Sequence, residues 1–588
     1  MMIGMKKLII FSSIVLSALC LSSCEKFLDT ESLTKKNTGN FPQNETDAKQ
    51  MVAGIYAIMN DNIADPECDP FFVFDMAGDD RLGAGSQSNI GSQSCDRLMN
   101  DITDKFKPFW KARYQGIFRA NSAIVTMDNV KTWSSVDVKN QLLGEVYILR
   151  AFYYFNLAQI FGGVPLILTP EAQNLPRCTD EELYAQIASD LKFAITNMPS
   201  TKYPNFGEGH VSKWVAEALM ARVWLFYTGF YKKSELPLME EGVIKGSVTK
   251  GEVESWLADC IANSGHSLVS DQRNLWPYTN PYTAKDYPYA KENGLNWVTD
   301  ENPECMFSVK MSNKEGWNVP ELRHNRIVEY YGIRKSVDAA FPFTPQGYSN
   351  GSVCTSIWND WAADPNYAGD YRRLGSICER KVEIPGYPGD VAKEVENTDL
   401  LAKKYLGCGA YGEDGVLYLS YGYFYGSANN RQTGLTQALT WLRFADVLLM
   451  HAEISDGKVI YNGMDGMNAV RARANLGQIA YSLENLKKER RYELCFEAIR
   501  WNDLRRWGDV SVIVDNQDGN PILNQGEPGV YQWQKDHPFM ARYEATKGGF
   551  FKLPESEVIL SEGVLTQNPG WEKAESDYAK GDLPYYKK

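Results

Sequence analysis

A mainly α-helical fold is expected: helix pairs packed side by side as a scaffold, with a large loop-rich, aromatic-rich region laid over it. Three observations carry that expectation. Segments 144–166, 180–197 and 212–228 repeat apolar residues at helical spacing. Residues 230–435 lose that periodicity and fill with Gly, Pro, Asn and aromatics. Helical spacing then returns at 438–454, 464–475 and 482–506.

The N-terminus comes first. Lys6 and Lys7 precede the apolar stretch Leu8 to Cys20, which is too short to span a bilayer comfortably. It closes on Leu21-Ser22-Ser23-Cys24, which resembles a bacterial lipobox, so residues 1–23 read as a lipoprotein signal peptide and Cys24 as the lipid attachment site. An ordinary cleaved signal, with Ala18 and Cys20 as its small residues, is the plainer alternative. Residues 25–45 are polar and suit a tether.

Asp47 to Asn60 places Met51, Ile55 and Ile58 on one helical face. Residues 76–104 are rich in Gly, Ser, Gln and Asn, include Asp79-Asp80-Arg81, and are expected as a long ordered loop. Trp110 to Val125 is helical again. The segment Gly144 to Leu166 has almost no polar face, so it should be buried, and Gly162-Gly163 with Pro165 should stop it. Arg150 inside it needs a carboxylate or carbonyl partner and should lock helices together. In 180–197, Leu183, Ile187, Leu191 and Ala194 form a stripe. In 212–228, Ser212 is the expected N-cap, and Ala216, Ala218 and Ala221 permit close packing. No strict tetratricopeptide repeat signature is present, although Tyr184 to Pro199 looks like a second repeat helix.

Two later stripes carry charge. On Leu439 to Glu453, Arg443, Asp446, Met450 and Glu453 share one expected helical face. On Lys488 to Gly508, Glu489, Glu493, Glu497 and Arg500 do the same. Repeated carboxylates suit a metal or glycosidase site, but arginines interleave with them, so inter-helix ion pairs are the better reading. Catalytic patterns are otherwise lacking. The five histidines form no H-E-x-x-H, and neither G-x-S-x-G nor a Walker A sequence occurs. No cofactor, metal site or catalytic residue is expected.

The formal net charge is −13, and no basic stretch is interleaved with aromatics, which argues against a nucleic-acid partner. Of the 11 cysteines none are spaced C-x-x-C. Setting aside Cys20 and Cys24 leaves an odd number. Cys68 with Cys95 is one pairing the compartment allows, and buried thiols are expected for most of the others.

The middle region suggests a different chemistry. Trp276, Tyr278, Tyr282, Tyr287, Tyr289, Trp297, Trp317, Tyr330, Tyr331, Trp358 and Trp361 crowd it. Flat rings can cover the apolar face of a sugar while polar side chains bond its hydroxyls. Two or three of these should touch ligand and the rest should pack. Trp276, Trp297, Trp317 and Trp358 are the leading candidates, with Asp80, Arg81 and Asn100 as polar ones, on loops 76–104 and 270–370 at one edge of the scaffold.

Several blocks, taken together, resemble the SusD/RagB family in order and spacing: GEVYILRAFYYFNLAQIFGGVPL, GHVSKWVAEALMARVWLF, LRFADVLLMHAE, ERRYELCFEAIRWNDLRRWG, FKLPESEVI and QNPGW. CEKFLD after the lipobox, and Trp110 with Tyr114, Ile117 and Asn121, fit as well. The resemblance implies an outer-membrane, surface-exposed lipoprotein with a tetratricopeptide-like scaffold and no catalysis. It implies a SusC-like TonB-dependent β-barrel partner and nutrient cargo, usually glycan. One SusD-like unit is expected over 24–588, with helical parts at 24–235 and 436–588 and a ligand-binding region at 236–435. The family's ligand residues vary, so none is carried over. The loop at 82–105 lacks any aromatic, and its Ser, Gln and Asn suit peptide backbone as well as hydroxyls, which keeps a peptide-binding, RagB-like importer subunit open. A lipid-anchored glycan hydrolase and a helical-repeat adaptor are further alternatives.

Lipidation of Cys24 is testable directly. Several acyl chains hold a protein on a membrane stably, each buried CH₂ contributing ~0.8 kcal/mol. Cys24→Ala should therefore be soluble or retained at an earlier step on cell fractionation, and mass spectrometry should find acyl chains on Cys24 of the parent protein.

Overall fold

The computed structural model describes residues 41–60, 66–83, 90–100, 104–207, 209–312, 324–334, 338–344, 347–387, 395–430, 433–524, 527–533, 538–572 and 586–587. Cys24 and Trp317 lie outside the described residues. The scaffold starts with α1 (Glu45–Tyr56), where the Asn44 side chain accepts from the Asp47 N–H. It continues through α2 (Lys107–Thr126), α3 (Val136–Phe161), α4 (Asp180–Asn197), α5 (Lys213–Phe230) and α6 (Lys250–Asn263). Each packs on the next, and α1 also touches α3. The chain then leaves for the middle region and returns as α7 (Phe444–Ile454), which docks on α6, followed by α8 (Gly466–Arg473) on α7. α9 (Leu483–Glu493) packs on α7, and α10 (Arg500–Trp507) closes back onto α5. The result is a mainly α, tetratricopeptide-like array of helices.

α3 shows why the array holds. Ser135 caps it by accepting from the Val138 N–H, and from Gly144 onward all but one of its residues are buried. Each such large side chain contributes ~1.5–3 kcal/mol when removed from water. Gly116 lets α2 approach closely: a Cβ there would fall 2.4 Å from the Tyr153 ring. The helix ends at Gly162, at φ +73, as expected of a left-handed stop. Arg150 forks onto Asp190 through Nε and Nη2 at 2.8 and 2.7 Å and reaches Asn121 through Nη1 at 2.8 Å. One guanidinium thereby joins α2, α3 and α4.

Five local expectations are corrected. Ser212 occupies the N-cap of α5, but its hydroxyl makes no capping bond; Trp214 Nε1 instead ties the helix start to the Thr201 carbonyl at 2.8 Å. α6 is a full scaffold helix inside the stretch read as loop-rich, started by a reciprocal Thr249–Glu252 capping box. Leu439–Arg443 is not the first turn of a helix but a strand, antiparallel to Cys305–Val309, so Arg443 stands in extended backbone just before α7. Lys488 to Gly508 is two helices, broken at 494–499, where Phe496 and Ala498 adopt φ of +62 and +60. The loop at 76–104 also contains a short helix, Ile90–Arg97.

These breaks deliver the charges to one place. Buried Arg443 bonds Glu493 and Glu497 at 2.9 and 2.6 Å and also pairs with Glu304. Arg473 spans Glu304 and Glu493, and Arg372 spans Asp370, Glu489 and Glu493. A neighbouring group links Arg490 to Asp446 and Asp503, and Arg506 to Asp503 and Glu453. The interleaved stripes therefore serve as ion pairs. The middle region adds short strands and helices, including the antiparallel pairs Arg81–Leu82 with Ser352–Val353 and Ile377–Glu379 with Leu400–Ala402. Cys178, Cys260, Cys305, Cys378, Cys408 and Cys495 are free thiols. Among the described residues, no helix is long and apolar enough to cross a membrane.

Asp446 reports on this network. Burial alone would raise its carboxyl, but Arg490 and Arg222, 2.7 and 2.5 Å away, outweigh burial and hold it at about 2. A folded value below the unfolded one stabilises above the ordinary carboxylate range, and that stability is lost as pH falls toward 2. Asp446→Asn should cost ~3–5 kcal/mol at neutral pH, because buried guanidinium charge is left short of a partner. In urea titrations its deficit against the parent should shrink as pH drops below about 4.

Candidate ligand-binding corner

The two loop regions singled out in the sequence meet. Arg81↔Val353 and Leu82↔Ser352 pair across the short sheet, and Arg81 Nη1 donates to the Gly351 carbonyl at 2.7 Å. Asn350 Nδ2 donates to Ser92 Oγ at 3.2 Å. Segment 347–350 then runs along the short helix Arg326–Tyr331: the N–H groups of Tyr348, Ser349 and Asn350 donate to the carbonyls of Glu329, Gly332 and Tyr330.

That backbone places an aromatic corner at the surface. Tyr348 is 37% exposed, and its ring meets half-buried Tyr330 edge-on at 5.3 Å. Tyr330 rests edge-on against Phe72, which stacks on Tyr331. The Arg326 guanidinium lies 5.5 Å from the Tyr330 ring centre and bonds the buried Glu329 carboxylate at 2.9 Å. Burial, with Arg326 beside it, pushes His324 down to about 4, so that imidazole is neutral at physiological pH. The corner offers ring faces, guanidinium N–H groups and amide or hydroxyl side chains. Such a set suits binding an amphipathic ligand.

The sequence candidates fall elsewhere. Trp276 is 3% exposed and packs edge-on against Tyr405, with Lys404 over its ring. Trp297 is buried against Phe424 and Tyr425. Both have the surroundings of packing residues. Asp80 is buried and accepts from Arg491 Nε at 2.8 Å; burial, despite Arg491, lifts its carboxyl to about 6. Burial acts on Asp79 too, but Arg500 and Arg491 overcome it and hold that carboxyl low. Arg81 is buried between Asp75 at 2.6 Å and the Tyr331 ring at 4.0 Å. These three build the floor that carries the corner. Asn100 is half-buried at the end of the 90–100 segment. Trp358 is half-buried beside a separate small cavity. Tyr348 was missed, although Gly347 before it and Ser-Asn-Gly after it mark a turn-held aromatic. Tyr423 was missed as well; it stacks on Tyr282 at 4.5 Å, and the two are 42% and 38% exposed. No group of His, Cys, Asp and Glu suited to a metal ion occurs among the described residues.

A mainly helical, tetratricopeptide-like scaffold with an aromatic corner built on its attached loops defines the class of fold, and sequence comparison narrows it. A family model described as starch-binding and associating with the outer membrane matches residues 26–225, and the SusD family model matches 397–571. The chain belongs to the SusD/RagB family. SusD-like protein P25 of Formosa agariphila is 23% identical over 529 residues, covering 84% of this chain and 89% of that protein. A SusD-like protein of Bacteroides ovatus is 23% identical over 428 residues, covering 68% of this chain and 65% of that protein. Among solved structures, a laminarin-binding SusD-like protein superposes with a TM-score of 0.67 at 22% identity, over 90% of this chain and all of that one. Surface glycan-binding protein A of Bacteroides thetaiotaomicron, in complex with laminarihexaose, gives 0.67 at 17% identity, over 89% of this chain and 98% of that one.

The packing and exposed aromatics should separate by mutation. Trp276→Ala should cost ~3–5 kcal/mol of stability by opening a core cavity. Tyr348→Ala should stay within about 0.5 kcal/mol of the parent, as surface substitutions do. Chemical denaturation of the two variants checks both.

Proposed function

We propose that this protein is a cell-surface glycan-binding lipoprotein, anchored through Cys24, that hands its cargo to a SusC-like TonB-dependent transporter in the outer membrane. The observation that carries the binding reading is the Tyr348–Tyr330–Arg326 corner: one exposed ring on a half-buried one with a guanidinium beside it, held on loops that an ordered floor fixes in place. Family membership supports it, as do the laminarin and laminarihexaose named for two structural relatives. We read the corner as a binder without turnover. Its nearest carboxylates are engaged, Glu329 with Arg326 and Asp75 with Arg81 and Tyr331. Burial raises Asp75, and among the described residues no nucleophile–base pair stands beside the rings. An acyl anchor offers no route across a bilayer, so a barrel partner is part of the proposal. Trp317 and Asn100 remain candidates for the cargo path.

A glycan array is the deciding experiment. The mature protein should bind a defined set of glycans without cleaving them, and Tyr348→Ala should weaken that binding by ~1–3 kcal/mol, the range of interface residues that matter. Binding only peptides would favour the importer reading with peptide cargo. Extraction in mild detergent should copurify a large β-barrel, identified by mass spectrometry; a reproducibly monomeric extract would count against the transporter partner.

A further inference from the structure

Beyond the strand Ser352–Val353, the chain enters the helix Thr355–Ala363 and borders a cavity of about 280 Å³. That is just below the ~300–1,000 Å³ of sites for drug-sized ligands, space for one small ring rather than an oligomer. One wall is Trp358. Arg373 stacks on its indole at 3.3 Å and donates through Nε to the Trp358 carbonyl, which fixes the ring's orientation. Glu379, Lys381 and the turn Asn397–Asp399 also line it.

The turn is held by its own hydrogen bonds and by the strand pair it borders, Ile377–Glu379 with Leu400–Ala402. The Asn397 side chain accepts from the Asp399 N–H at 2.8 Å, Thr398 Oγ1 donates to the Val353 carbonyl, and Asp399 sits at φ +65. A non-glycine residue in that region is strained and persists only where its surroundings hold it. Its carboxylate pairs with Arg380 and with Lys381, the latter at 2.7 Å. Glu379 differs: among the described residues its half-buried carboxylate makes no hydrogen bond or close ion pair, and the Arg373 guanidinium acts on it only at longer range. An aromatic wall, a fixed polar rim and an acceptor with spare capacity are together the chemistry of sugar recognition. Two carboxylates in the rim oppose an anionic ligand, and the cations beside them are already engaged.

We propose that this cavity is a second subsite, taking one neutral hexose ring against Trp358, with hydroxyls donating to Glu379 and Asp399. The proposal rests on the glycan reading but names a site separate from the Tyr348 corner. Saturation-transfer NMR and calorimetry with glucose, galactose and mannose, using the full mature chain, test it. At least one of these sugars should bind, and both Trp358→Ala and Glu379→Gln should weaken that sugar about ten-fold. Glu379→Gln removes charge without volume, so its melting temperature should match the parent and keep the test independent of folding. If a monosaccharide binds and both cavity variants bind it equally well, the subsite is overturned while the glycan reading stands. If the parent binds none of the three, the subsite is overturned, and the array result alone decides the glycan reading.

Discussion

The rest of this structure depends on a buried set of arginines and glutamates centred on Glu493. Arg372, Arg443 and Arg473 all bond that one carboxylate, and they come from three separate parts of the chain. Taking ions out of water costs several kcal/mol each, and only good geometry with every proton and lone pair used recovers it. Burial works against Glu493, yet the three guanidiniums keep it charged, its carboxyl held far below the usual carboxylate range. Because such a cluster is costly when incomplete, it selects one arrangement of its parts. Glu304 and Arg372 belong to the middle region, Arg443 and Arg473 flank α7 and α8, and Glu493 ends α9. The loop-rich region is thus fastened to the helices by charge, while apolar contact fills the space around it.

The same logic explains how a corner made of loops can be rigid enough to bind. Tyr348 has little beneath it except Tyr330, but Tyr330 stands on Phe72, and Phe72 on Tyr331. The Tyr331 hydroxyl donates to Asp75, which also holds Arg81. Each step is a core contact until the last ring reaches solvent. Side chains preorganised in this way lose less freedom when a ligand arrives.

Much of the scaffold was legible because its signals are local. Apolar spacing found α3, α4 and α5, Gly162 marked a helix end, and Arg150 demanded the partner it has in Asp190. The capping pattern Thr249-x-x-Glu252 was equally local and would have found α6. Leu439–Arg443 was not legible as a strand: its apolar run fits either period, and its partner, Cys305–Val309, lies more than a hundred residues away. The break after Glu493 rests on φ values at Phe496 and Ala498 that neither residue type advertises. At the candidate site the loop regions were readable from composition. Which aromatics face water was not, since Trp276 and Tyr348 differ in what covers them. Asp80 and Arg81 look like surface chemistry in a polar segment, but their partners, Arg491 and Asp75, make them structural.

Asp79 bonds Arg500 and Asn516, and Gln517 reaches the carbonyls of Gly78 and Arg81 and the Asp96 carboxylate. These contacts join residues more than four hundred positions apart. A ribosome delivers the chain from its N-terminus, so the polar segment around Asp79 emerges long before the arginines that neutralise it. The helices from α1 to α6 have sequential neighbours and can assemble as they appear, whereas the floor of the ligand corner stays incomplete until the last part of the chain is present. Long-range closure of this kind is slow relative to local helix packing. The frame can form early and the proposed binding corner only late, so a truncated chain would retain helices while lacking that corner's floor.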